Sequence, residues 1–212
     1  MENTPRQPRP RTRRARVCWR ESVGDGRVRS LLAIETPLAP PAPTATSLAS
    51  RLAGRYFGSL PTTCANLVTA TPTDSGEPGA APTDYPAGEA NPTCGFILHP
   101  AATSRLPLIR LGTPHMESRT GYARLAYPII GGLLVRTAVD VSEYAGFGWF
   151  SFEVMVAGAS TTFAVRVDDF PARLLGNDTS LLLRLLYQSS ESLVHRVLVT
   201  RFLRGFVRSL QL

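Results

Sequence analysis

The sequence predicts an α+β fold in which a curved antiparallel sheet packs against a long C-terminal helix. Three observations carry that prediction. In residues 146–156, Phe150, Phe152, Val154 and Val156 alternate with Trp149, Ser151 and Glu153. Period-two alternation marks a strand with one packed face. After the turn-like Ala157-Gly158-Ala159, residues 160–168 repeat it, with Phe163, Val165 and Val167 inward and Arg166 and Asp168 outward. From Leu181 to Leu212 there is no proline and a single glycine, Gly205. Leu182, Leu186, Leu193, Val194, Val197, Leu198, Phe202, Phe206 and Leu210 form a broad stripe at helical spacing.

The elements before this unit are less regular. Residues 1–22 are expected to be an unstructured Arg/Pro-rich tail, and residues 23–212 one α+β domain. Between Met1 and Arg20, seven arginines stand against Glu2 alone, so the tail holds most of the net charge of +7. All 23 basic residues of the 212-residue chain are arginine. Thr12-Arg13-Arg14 lacks the apolar stretch of an export signal, since Trp19-Arg20-Glu21 follows. Polyanion contact through residues 1–20 is the functional reading of the tail.

Residues 27–35 read as a first strand, with Val28, Leu32 and Ile34 on one face. Residues 37–46 read as a flexible insertion rich in Pro, Ala and Thr. Ser47 is the predicted N-cap of a short helix over 47–60, with Leu48, Leu52, Tyr56 and Leu60 in a stripe and Pro61 as its stop. A brief strand is expected over 64–70. A second insertion, 71–92, is low in complexity. Strands are expected over 95–99 and 106–111, with Gly112-Thr113-Pro114 as a turn. The run 123–139 should bend at Gly131-Gly132, where the sheet curves or a ligand or helix approaches the backbone. Pro128 should place its first half at an edge or a bulge. Asp178, Thr179 and Ser180 are the N-cap candidates of the closing helix.

Consecutive antiparallel strands, a front helix at 47–60 and a long C-terminal helix resemble, in element order, the helix-grip fold of the START and Bet v 1-like proteins. The resemblance rests on element order over 106–212 and not on a residue motif. It implies an apolar ligand held between sheet and helix, with enzymatic use in some members.

Chemistry-bearing motifs are sparse. The cysteines Cys18, Cys64 and Cys94 are odd in number and lack C-x-x-C spacing, which favours a reducing, cytoplasmic compartment. Cys94, His99 and His115 match no common zinc spacing, and no metal or cofactor is expected. No P-loop, G-x-S-x-G or dinucleotide fingerprint is present. Glu191 and His195, four residues apart on the closing helix, are the candidate acid–base pair. Asp168-Asp169 reads as a strand-ending turn, and Trp149, Glu153 and Arg166 as an outward patch. Three functions compete. The first is binding of an apolar small molecule or lipid in a cavity lined by Tyr127, Phe152, Val154, Phe163 and Val165. The second is a cyclase- or hydrolase-type enzyme in that cavity. The third is an interaction protein using the basic tail on nucleic acid or anionic membrane.

Overall fold

The computed structural model describes residues 15–24, 27–37, 44–64, 67–73, 90–103, 105–135, 148–172 and 181–210, with the backbone alone for 181–195. Its strands are β1 (Arg16–Gly24), β2 (Arg27–Thr36), β3 (Val68–Pro72), β4 (Phe96–Pro100), β5 (Ile109–Leu111), β6 (His115–Arg119), β7 (Tyr122–Gly131), β8 (Trp149–Ala157) and β9 (Ser160–Pro171). Its helices are α1 (Ala45–Thr63) and α2 (Leu181–Leu210). The strands form one curved antiparallel sheet in the order β1-β2-β9-β8-β7-β5-β4-β3, with β6 also on β7.

The predicted hairpin is β8–β9. Phe152 opposes Val165 and Val154 opposes Phe163, so the apolar residues of both strands share one face. The same face continues into β2, where Leu32 opposes Val165 and Ile34 opposes Phe163. Both helices cover it. Phe202, Leu203, Phe206 and Val207 of α2 are buried, and the Phe206 ring meets Phe163 edge-on at 5.4 Å. Val197, expected on the apolar stripe, is exposed; Val199 takes the buried position instead.

α1 is longer than predicted. Thr44 is its N-cap, and the Thr44 hydroxyl accepts from the Ser47 backbone N–H at 3.2 Å. Ser47 therefore sits inside the first turn. Pro61 does not stop the helix, which runs to Thr63. Its two sides are both occupied, because Phe57 is buried as well as Leu48, Leu52 and Leu60. Phe57 stacks on Phe96 at 3.9 Å and meets Tyr127 and Phe152 edge-on at 5.2 and 5.5 Å. Gly54 lets the segment at Ala90 lie against the helix: the Ala90 N–H donates to the Gly54 carbonyl at 2.9 Å, and a Cβ on Gly54 would collide with the Ala90 carbonyl oxygen.

Other boundaries move for identifiable reasons. Residues 16–22, expected in an unstructured tail, form most of β1, which pairs with β2 along its whole length. Residues 45 and 46 belong to α1 and residues 71 and 72 to β3, so both predicted insertions are shorter at the ends described. The brief strand expected over 64–70 starts later, at Val68. Gly112-Thr113-Pro114 is not a reversal: β5 and β6 lie along the same edge of β7, and these three residues interrupt the pairing. That interruption explains Pro128. β7 is an interior strand, not an edge, and Pro128 faces the break on its β5/β6 side, where its missing N–H leaves no ladder bond unmade. Instead its carbonyl accepts from the Gly112 N–H at 2.8 Å. The expected bulge falls next to it, where the β5–β7 register shifts between Arg110 and Leu111.

The bend at Gly131-Gly132 is present, with both residues at positive φ (150° and 126°). What lies against Gly132 is the backbone of Leu108, whose carbonyl accepts from the Leu134 N–H at 3.0 Å. β7 ends there, so Leu133 and Val135 do not continue the strand. β9 runs beyond the predicted end at Asp168, through a bulge, to Pro171. Asp169 takes a left-handed conformation (φ 52°) and pairs with Arg29 at 2.6 Å. Residues 136–147 and 173–180, including the predicted caps Asp178 to Ser180, lie outside the described residues, as does the tail through Arg14. No described helix is long and apolar enough to cross a membrane.

Candidate functional site

The inward face of the sheet is filled along its middle and recessed at one end. The register explains the position. Phe150 of β8 opposes Val167 of β9, Val167 opposes Ser30 of β2, and Ser30 opposes Glu21 of β1. Directly opposed residues point to the same face of a sheet. These four side chains therefore form a row that grades from apolar to polar. The row lines a recess of about 170 Å³. Ile129, Leu111 and Leu98 extend its apolar wall across β7, β5 and β4, Phe170 of β9 adds to it, and Trp19 stands beside Glu21 at the polar end.

α1 closes the recess from above with Tyr56. Its ring lies 5.5 Å from Phe150, 5.2 Å from Phe152 and 5.1 Å from Phe202. Burial, with a smaller contribution from the nearby Cys64, pushes its phenol above the ordinary value of 10.0. The phenol therefore stays neutral and can donate a hydrogen bond. With the Ser30 hydroxyl and the Glu21 carboxylate it supplies a few polar groups in a mostly apolar space. Small-molecule sites commonly have that composition.

All five residues predicted to line a cavity point to the inward face, yet none lines this recess. Tyr127, Phe152, Val154, Phe163 and Val165 are buried in the packed middle, under α1 and α2. Alternation reveals which face a side chain takes but not where along the strand the helices leave space. Tyr127 shows the consequence. Its hydroxyl donates to the Pro92 carbonyl at 2.6 Å in the interior. Burial, then Cys94, raises its pKa. Tyr127→Phe leaves that carbonyl unpaired and is expected to lower the unfolding free energy by about 1–1.5 kcal/mol in urea denaturation. An unchanged midpoint would mean that the bond contributes nothing net.

Glu191 and His195 lie on α2 where the backbone alone is described, so the acid–base pair falls outside the described side chains. Cys94, His99 and His115 are not brought together as a ligand set. His99 is buried and hydrogen-bonded to Thr69 and Thr71 at 3.0 and 2.6 Å, the Cys94 thiol donates to the Asn91 carbonyl at 3.2 Å, and His115 is exposed on β6. No group of three such residues able to hold a metal occurs among the described residues.

The outward face carries a charge network. Arg124 lies 3.2 Å from Asp168 and 3.6 Å from both Glu153 and Glu117. Arg166 lies 2.8 Å from Asp168 and 3.7 Å from Glu153. The expected patch is thus partly an ion-pair network, with Trp149 opposite Asp168 at its rim. Asp168 is a network member rather than a turn residue. Desolvation raises the Glu153 pKa above its ordinary 4.5, more than the two arginines lower it. A raised folded pKa means that stability from this group is full below that ordinary value and is lost as pH rises through the folded one. Glu153→Gln is therefore expected to keep or raise the melting temperature near neutral pH and to flatten its fall with rising pH. A lower melting temperature at neutral pH would show that the arginine pairs outweigh desolvation.

No protein-family model matches the chain, and no curated protein matches it.

Proposed function

We propose that this chain is a helix-grip-like binding module that holds a small, largely apolar molecule in the recess between the sheet and Tyr56. Element order supports the fold reading. With β5 and β6 counted as one interrupted strand, the chain from β2 onward is a strand, a helix, six consecutive antiparallel strands and a closing helix. β1 stands outside that order. One observation carries the function: an apolar recess that Ser30, Glu21 and Tyr56 also line, beside the packed middle of the same face.

Size narrows the ligand. An apolar cavity of about 150 Å³ is known to admit benzene. A recess of about 170 Å³ suits a single ring or a short aliphatic chain, better than a sterol or long acyl chain. One hydroxyl or amine on the ligand would meet Ser30 and the Tyr56 phenol, while Phe150, Val167 and Phe170 hold the apolar part. The test is thermal unfolding with a panel of monocyclic aromatics, short alcohols and long-chain fatty acids. A ligand at a hundred times its Kd stabilises by about 2.7 kcal/mol. Stabilisation by the small compounds supports the reading, and none from any of them at millimolar concentration counts against it.

A further inference from the structure

A second depression lies on the other side of Trp19, between the inward face of β1 and α2. It measures about 760 Å³. Its helix side is formed by Arg196, Arg201, Arg204 and Arg208, with Thr200 among them, and its strand side by Val17 and Trp19. Arg196, Thr200, Arg204 and Arg208 recur every four residues, so they form one stripe with steps of about 6 Å. None of the four arginines makes an ion pair among the described residues. The acids of the adjoining strands, Glu21 and Glu35, are not among the residues lining it.

Helix electrostatics account for part of this. Cations in the last turn complement the negative end of the helix, which covers Arg208. Arg196 and Arg201 lie more than two turns before that end, where the effect has faded. Four guanidinium groups along one groove, without an ion-pair partner among the described residues, repel one another and favour an anion. Spaced charges on one wall with an aromatic side chain on the other suit a strand of phosphates with bases that can stack.

We propose that the β1–α2 groove binds single-stranded nucleic acid, with the arginine stripe on the phosphates and the Trp19 indole against a base. A bilayer fits less well. The arginines line a recess rather than a protruding surface, and its apolar side chains are the short Val17 and Val197 and the half-buried Trp19.

The experiment is fluorescence anisotropy of a labelled oligothymidylate on the full-length chain across a range of salt. For single strands the logarithm of affinity falls with the logarithm of salt by about 0.7 per phosphate neutralised. The double substitution Arg204→Ser and Arg208→Ser removes two exposed charges and should reduce that slope by about 1.4 and weaken binding about tenfold or more. In Trp149→Phe protein, which retains Trp19 as its one indole, the oligonucleotide should quench the emission. A second protein with Arg6, Arg9, Arg11, Arg13 and Arg14 changed to Ser separates the tail from the groove. The groove pair should still matter in that background. Unchanged affinity and slope in the groove variant overturn the proposal. So does weakened binding to phosphatidylserine vesicles with oligonucleotide binding intact.

Discussion

Phe57→Ala should lower the unfolding free energy by about 3–5 kcal/mol. Phe57 is 2% exposed and sits where the front helix meets the sheet. Its ring stacks on Phe96 of β4 and is met edge-on by Tyr127 of β7 and Phe152 of β8. Removing it takes contacts from three strands at once. The helix cannot sink to fill the void, because Gly54 already lies against the Ala90 backbone and Leu48 and Leu52 are fully buried. The loss therefore includes the cavity as well as the transferred surface. Urea denaturation measures it directly. A loss below about 1.5 kcal/mol would mean that α1 does not form the centre of the core.

Val167→Phe should abolish ligand-dependent stabilisation while leaving the chain folded. Val167 is half-buried and lies between Phe150 and Ser30 in the row that lines the recess. A phenyl group there occupies space that the apolar part of a ligand needs, and in a recess of about 170 Å³ little remains. The affinity for any small ligand should fall at least about a hundredfold, which corresponds to roughly 2.7 kcal/mol. Met155→Phe, on the outward face of β8, adds comparable bulk outside the recess and should leave the affinity unchanged. Equal affinity in Val167→Phe and wild-type protein would place the ligand elsewhere.

The sequence made the sheet's face legible and left its depth hidden. Alternation in β8 and β9 correctly assigned Phe152, Val154, Phe163 and Val165 inward, since the pleat alone determines that. The same signal cannot say that Phe150 and Val167 border open space while Phe152 and Val165, two residues along, are sealed. That depends on where α1 and α2 cross the strands. β1 was obscured by composition: Arg16, Arg20 and the preceding arginines suggest a tail, although Val17 and Trp19 already alternate. Phe57 fell outside the expected stripe because that stripe assumed one buried face, whereas α1 is packed on two sides. Pro128 reads locally as the mark of an edge or a bulge; the bulge is there, but the strand is interior. The break at Gly112–Pro114, which makes it harmless in an interior strand, is a pairing feature that no local pattern contains.

The recess at one end of the inward face is the proposed binding site. Its most direct test is a two-dimensional amide NMR titration with a monocyclic phenol. Saturable shifts should centre on Ser30, Leu111, Ile129, Phe150 and Val167, with Val154 and Phe163 in the packed middle unmoved. Absence of saturable shifts, or shifts centred on Val154 and Phe163, would contradict it.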